Sequence, residues 1–185
     1  MGEVYEKSML MDEAAVNRAL VRIAHEIVEK NKGLDRLCLI GIQRRGVPMA
    51  QRIAEHLFAI EGVKPEVGVL DITFYRDDLS KLSVHPVLNG TSISFDLVDK
   101  HVVLVDDVLF TGRTIRAAID AVFDMGRPQS VQLAIMVDRG HRELPFRPDF
   151  VGKNIPTSIS ESIHVELAEI DGQDRVMLYD ERVFI

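Results

Sequence analysis

Asp106 and Asp107 stand side by side at the end of an apolar run, Val102 to Val105, and Thr111-Gly112-Arg113-Thr114 follows shortly after. The threonines and the glycine place hydroxyls and backbone N–H groups where a helix is expected to begin. A helix N-terminus carries unsatisfied donors and the positive end of the dipole, so it favours an anion such as phosphate. Two carboxylates would repel that phosphate and must serve something else. Vicinal hydroxyls of a sugar, or a divalent metal, suit them. The combination implies a ligand with a 5′-phosphate beside a sugar diol. The plainer alternative is a strand–turn–helix whose aspartates only cap the helix.

Two further stretches could meet the same ligand. Gly41-Ile42-Gln43-Arg44-Arg45-Gly46 again follows an apolar run and opens a helical pattern. Its glycines permit close backbone approach and its arginines supply charge. Asp71 to Ser80, DITFYRDDLS, ends a strand pattern and enters a long segment without periodicity.

The elements that must position these residues alternate along the chain. Asp12 to Lys32 reads as a helix, with Val16, Leu20, Ile23 and Ile27 in one stripe, Asp12 as N-cap and Gly33 as stop. Arg36 to Ile42 reads as a strand, and Gly46 to Ile60 as a helix with Pro48 in its first turn. Glu66 to Tyr75 is a strand, Arg76 to Gly90 a flexible loop of functional length, 101–125 a strand and a helix, and Ser130 to Val137 a strand. The helix in 101–125 has Ile115, Ala118, Ile119, Val122 and Phe123 at helical spacing. This order predicts an α/β fold with a mostly parallel, doubly wound sheet and flanking helices. His164 to Glu169 and Arg175 to Tyr179, around Asp171-Gly172, predict a late antiparallel hairpin.

Composition bounds the rest. The 185 residues suit a single domain, 1–185, and 46% of them are apolar, enough for a sizeable core. No run is long enough to span a membrane and no secretory leader is evident, so a cytoplasmic protein with no membrane partner is expected. The single cysteine, Cys38, lies within LCLIGI and reads as a small buried hydrophobe. A net charge of −7 argues against generic nucleic-acid binding but leaves room for a local basic patch.

From Val102 to Thr114, VVLVDDVLFTGRT resembles the phosphoribosyl pyrophosphate (PRPP) motif of type I phosphoribosyltransferases: an apolar strand, two acids, two apolar residues, a variable residue, then Thr-Gly-basic-Thr. DITFYRDDLS, MVDRGHRELP (136–145) and VGKNIPTS (151–158) are similar to one branch of that family, the pyrimidine operon attenuators that are also uracil phosphoribosyltransferases. The similarity runs from RALVRIAHEI in the first helix to the acidic C-terminal segment.

That resemblance implies the type I phosphoribosyltransferase fold, with a small hood built from N-terminal residues and roughly 138–185. It implies the reaction of uracil with PRPP to give UMP and pyrophosphate. Asp106 and Asp107 would hold the ribose hydroxyls and reach Mg²⁺ through water and PRPP. Val108 would belong to the PRPP and UMP site, and Leu109, Phe110, Thr111, Gly112, Arg113 and Thr114 would hold the 5′-phosphate. Arg44, Arg45 and Gly46 would form the pyrophosphate loop, with a non-proline cis peptide near Arg44 or Arg45. Arg45 and Arg76 would face the pyrophosphate, Arg76 from a lid, and would count with Asp106 and Asp107 as the catalytic residues. Val137, Asp138 and Arg139 would contact uracil, unless Asp138 and Arg139 form a structural ion pair. Some relatives carry an acid just before Thr-Gly. Phe110 stands there in this chain, so proton transfer is not expected to be the main contribution to catalysis.

The resemblance further implies binding of pyrimidine operon leader mRNA on a basic concave surface of a homodimer or higher homo-oligomer, promoted by UMP or UTP. The matching residues are Arg22, His25, Arg142, Arg147 and Lys153. Basic charge is locally concentrated between Arg139 and Lys153, whereas Glu161 to Ile185 is strongly acidic. Arg18, Arg22 and His25 share one helix face. Val21 stands where the family often has a threonine, which removes one hydroxyl from that surface. A salvage enzyme without RNA binding and a regulatory module without catalysis are the two other readings. A phosphate-accepting receiver domain would need a lysine after a later strand, and none is evident.

Overall fold

The computed structural model describes residues 5–73 and 90–180. Five parallel strands form the central sheet in the order β3-β2-β4-β5-β6: β2 Leu37–Ile42, β3 Glu66–Leu70, β4 His101–Leu109, β5 Ser130–Asp138 and β6 Phe150–Asn154. Period-2 alternation feeds both faces. Leu37 and Leu39 of β2, with Val103 and Val105 of β4, pack on α1 (Glu13–Asn31) and α2 (Gly46–Glu61). Cys38, Ile40 and Ile42, with Val102 and Leu104, pack on α3 (Arg113–Met125). Helices therefore cover both faces, as expected for a doubly wound sheet.

Local chemistry sets the helix ends. The Asp12 carboxylate accepts the Ala15 N–H at 2.8 Å and opens α1. Its apolar stripe, Val16, Leu20, Ile23 and Ile27, is fully buried. Lys32 takes the left-handed cap conformation, and Gly33, also at positive φ, donates to the Val28 carbonyl. In α3 the buried face is Ile115, Ala117, Ala118, Ala121 and Val122, whereas Phe123 is half exposed. Helical rotation puts the small alanines against the sheet and turns the phenylalanine outward.

A second, antiparallel sheet has the order β1-β8-β7, with β1 Tyr5–Met11, β7 Glu161–Glu166 and β8 Arg175–Asp180. The late hairpin is thus present, with the short helix α4 (Ala168–Asp171) in its connection, and the N-terminal β1 completes it. Ile163, Val165, Val176 and Leu178 join the core on the α1/α2 side.

Three expectations need correction. β3 ends at Leu70 rather than Tyr75. β4 does not stop before the carboxylates but continues to Leu109, because Val108 and Leu109 still pair with Val137 and Asp138 of β5. β1 and β6 are strands without a period-2 signal of their own; they exist because neighbouring edges offer partners. Most of the expected loop, Arg76 included, lies outside the described residues.

The crossing between β2 and β4 needs a glycine. A Cβ on Gly46 would lie 2.2 Å from the Val105 carbonyl oxygen. Gly33 meets nothing within 4 Å, so only its positive φ opposes a side chain. Gly46→Ala should therefore cost on the order of 3 kcal/mol and Gly33→Ala roughly 1 kcal/mol. Thermal unfolding of the two variants checks the order; a Gly46→Ala protein as stable as wild type would mean that the turn is free to shift.

Candidate functional site

Two strand–turn–helix loops meet at the carboxyl ends of β2 and β4, the neighbours at the centre of the sheet. The first follows β4. Asp106 is 7% exposed, and its Oδ1 accepts the Asp107 N–H at 2.9 Å. Asp107 is less buried, and its Oδ1 accepts the Val108 N–H at 2.9 Å. Burial, and then the neighbouring charge of Asp107, hold the Asp106 carboxyl well above the usual carboxylate range. Each side chain has one oxygen tied back to the strand, and both residues line the cleft.

The turn beyond them is braced from behind. Gly112 caps α3 at φ +93°, and a Cβ there would come within 3.0 Å of the Phe146 ring. Gly112 has no side chain to cap this helix end, and the Arg113 N–H donates to the Thr111 hydroxyl at 3.4 Å. The Thr111 carbonyl accepts from Glu143 N and Leu144 N at 3.0 Å each. Arg142 donates to the Phe110 and Phe146 carbonyls and, at 2.6 Å, to Asp138. Arg113 pairs with Glu143 on the outer side. Leu109 is buried, which leaves it only its backbone for a ligand.

The second loop follows β2. The Gln43–Arg44 peptide is cis, next to Arg44 as the resemblance implied. A Cβ on Gly41 would strike the Gly46 carbonyl oxygen at 2.6 Å, so the loop folds back on itself and on β4. Arg44 is exposed. Arg45 immediately precedes α2 and is held by Asp171 of α4: Nε donates to Oδ2 at 3.2 Å and Nη2 to Oδ1 at 2.7 Å. That pairing raises the Arg45 pKa and lowers that of Asp171.

Between the loops lies a cleft of about 310 Å³. Arg44, Arg45, Asp106, Asp107, Val108 and Thr114 line it, together with Asp71 and Thr73 from the end of β3. One wall is thus cationic and the other acidic, and the N-terminus of α3 opens between them. Asp71 accepts from the Thr73 N–H and hydroxyl, and Gly90, where the described chain resumes, packs against Asp71 and Gln43. Asp71 and Thr73 are cleft residues that the sequence reading placed only at the entrance to a loop.

The three residues expected at the base lie apart from this lining. The Val137 side chain is fully buried, so only its backbone can reach a ligand. Asp138 accepts from the Gly140 N–H and pairs with Arg142. Arg139 is 7% exposed and donates to the Thr157 hydroxyl and to the Ser158 and Glu161 carbonyls. Its guanidinium lies 4.0 Å from the centroid of the Phe110 ring, whose other neighbour is His141 at 5.8 Å. Arg139 therefore joins the β4–α3 turn to the start of β7. The signal that could have found this is an arginine that follows Asp138 after the apolar run Leu133 to Val137.

The residues expected to bind RNA fall in different settings. His25 and Arg147 are exposed. Arg22 reaches from α1 to the Val151 and Gly152 carbonyls of β6, while Lys153 donates to the Leu10 carbonyl at 3.1 Å. Arg142 spends its donors inside the protein, as described above.

The fit of Mg²⁺ can be judged from the donors. Among the described residues no group of three or more His, Cys, Asp or Glu could hold a metal. Asp106 and Asp107 are the carboxylates lining the cleft beside the helix, and an octahedral Mg²⁺ held there would need most of its ligands from phosphate oxygens and water. The pair suits a metal that arrives with a polyphosphate. No described helix is long and apolar enough to cross a membrane.

Comparison with known proteins places the chain. A model of the phosphoribosyl transferase domain matches residues 7–170. The bifunctional protein PyrR of Acetivibrio thermocellus is 63% identical over 175 residues, covering 95% of both chains. That of Clostridioides difficile is 60% identical over 173 residues, covering 94% of this chain and 98% of the relative. Among solved structures, the hypoxanthine phosphoribosyltransferase of Trypanosoma cruzi superimposes with a TM-score of 0.71 at 18% identity, covering 96% and 98% of the two chains. A hypoxanthine-guanine phosphoribosyltransferase of Bacillus anthracis gives 0.70 at 16%, covering 96% and 99%, and these two likenesses bear on fold alone. With a phosphoribosyltransferase sheet, a cleft between its two phosphate-type loops and near-full-length identity of this order, the chain belongs to the PyrR family of phosphoribosyltransferases.

Proposed function

We propose that the cleft converts uracil and PRPP to UMP and pyrophosphate. The observation that carries this reading is the meeting of Arg44, Arg45, Asp106, Asp107 and Thr114 around one cavity. The N-terminus of α3 takes the 5′-phosphate on backbone N–H groups of 109–114 and the threonine hydroxyls. Asp106 and Asp107 accept hydrogen bonds from the ribose hydroxyls. Arg45, and Arg76 by resemblance, meet the pyrophosphate. Mg²⁺, when bound with PRPP, supplies positive charge at the leaving group, and Asp106 and Asp107 are the residues that would hold it through water.

The bond from C1′ to pyrophosphate stretches ahead of attack by uracil N1, so the sugar gains oxocarbenium character. Catalysis then depends on preorganised stabilisation of leaving-group charge more than on a general base. Phe110, at the place where an acid could stand, agrees with that. We read β1 and residues 138–180 as the hood over the base, with the backbone of 137–139 reading uracil. The preference for uracil rests on relatives with PyrR names at 58–63% identity, against 15–20% for the hypoxanthine enzymes.

A second function follows from the same kinship: UMP- or UTP-promoted binding of pyrimidine leader mRNA by a homo-oligomer in the cytoplasm. Its support on this chain is the α1–β6 surface, where Arg22 and Lys153 lie against adjoining carbonyls and His25 is exposed. Mixed basic and hydrogen-bonding surfaces of this kind suit unpaired RNA loops.

Three outcomes are expected. Purified protein with Mg²⁺ and PRPP should turn over uracil but not hypoxanthine, guanine or orotate, and Asp106→Asn with Asp107→Asn should lower kcat by roughly a hundredfold or more; turnover of a purine would overturn the base assignment. Asp106→Asn should also stabilise the ligand-free protein. A carboxyl whose pKa is raised by folding destabilises the fold once the pH exceeds its unfolded value, near 3.8. The variant's gain in Tm should thus be absent below about pH 4 and grow towards neutrality in metal-free buffer; an equal or lower Tm at pH 7 refutes it. Finally, Arg22→Gln with His25→Ala should weaken UMP-dependent leader-RNA binding about tenfold or more, with a shallower salt dependence, and UMP synthesis serves as the control.

A further inference from the structure

Arg45 closes the pyrophosphate loop, yet its side chain is tied to the connection of the small sheet. The pair with Asp171 is side-on, using Nε and Nη2. A guanidinium has a second edge, formed by Nη1 and the other Nη2 hydrogen. Nη1 has no hydrogen-bond partner among the described residues, and the side chain remains 32% exposed where it lines the cleft. One edge is therefore spent, and the other is left open on a side chain that lines the cleft.

Asp171 is itself fixed. Its Oδ2 accepts the Leu167 N–H at 2.9 Å. The rest of the connection is clamped to α2 by Arg52, which bonds both oxygens of Glu169 and both of Asp174. Arg45 and Arg52 are two helical turns apart and so share a face. The result is a rigid carboxylate holding one edge of an arginine whose other edge is open. A guanidinium fixed in this way loses less rotamer freedom when an oxyanion arrives. A lysine could not serve, since it presents no second edge.

We propose that Asp171 is a positioning residue that presents the free edge of Arg45 to the pyrophosphate group of the substrate, an inference that rests on the assignment of Arg45 to pyrophosphate made above. The small sheet then contributes to the chemistry without touching the reacting atoms.

The full-length protein and its Asp171→Asn, Asp171→Glu, Arg45→Ala and Arg45→Ala/Asp171→Asn variants test this. The measurements are KM for PRPP, kcat, and the affinities for magnesium pyrophosphate and for UMP by calorimetry. Asp171→Asn should raise KM for PRPP and weaken pyrophosphate about tenfold, leaving kcat at saturating PRPP and UMP affinity within about twofold. Asp171→Glu should recover part of the loss, and Asp171→Asn should have little further effect once Arg45 is gone. If Arg45→Ala weakens pyrophosphate but Asp171→Asn does not, the positioning role is wrong while the assignment of Arg45 survives. Equal losses for pyrophosphate and UMP would reduce Asp171 to a structural prop. Tighter pyrophosphate binding in Asp171→Asn would make it a competitor of the substrate, which is the opposite role. No effect of Arg45→Ala on pyrophosphate would remove the assignment of Arg45 and this inference with it.

Discussion

A buried carboxylate on the central strand of a parallel sheet is costly, and the cleft is organised around that cost. Asp106 sits on β4 between β2 and β5, nearly without solvent, beside a second carboxylate. Among the described residues the one N–H it receives comes from Asp107, too little to stabilise a full charge in such a place. The missing donors are what a sugar diol or a hydrated cation supplies. A buried carboxylate with so few donors costs stability, a trade common at functional sites.

The same central position brings the two phosphate-type loops together. Gly41 of β2 pairs with Val105 of β4, and Gly46 rests on the Val105 carbonyl, so the β2–α2 turn sits directly beside the aspartates. Neither loop alone makes a site. One offers helix N–H groups and acids, the other arginines; their adjacency, which follows from strand order, allows a molecule with phosphates at both ends of a sugar to bridge them.

Around this cleft the small sheet and the 138–161 segment are fastened by arginines. Arg52 binds Glu169 and Asp174, Arg142 braces the Phe110 carbonyl, and Arg139 links the Phe110 ring to the Ser158 and Glu161 carbonyls. Exposed ion pairs contribute little stability each. Forked, partly buried ones still fix geometry well, and here that geometry is the back wall of the phosphate turn. Four arginines that read in sequence as ligand or RNA contacts divide accordingly: Arg45 works at the cleft edge, Arg139 and Arg142 work behind it, and Arg22 lies across β6.

Much of this was legible from residue types and spacing. The apolar run before Asp106-Asp107, the Thr-Gly-Arg-Thr turn and the helical stripe after it are local signals, and so are the Asp12 cap, the Gly33 stop and the alternation that makes Cys38 a core residue, its thiol pushed up to about 11 by burial. Each depends on neighbours within a few residues, where backbone sterics and hydrophobic periodicity dominate. Pairing decisions were different. That β4 runs on through its aspartates, that Tyr5–Met11 and Phe150–Asn154 become strands, and that Asp171 reaches Arg45 all depend on partners scores of residues away. The sequence by itself determined the phosphate-type turns, the helices and the doubly wound order. Tertiary structure alone decided which arginines face a ligand and which carboxylate loses its water, because burial and ion pairing belong to surfaces that exist only once distant elements have met.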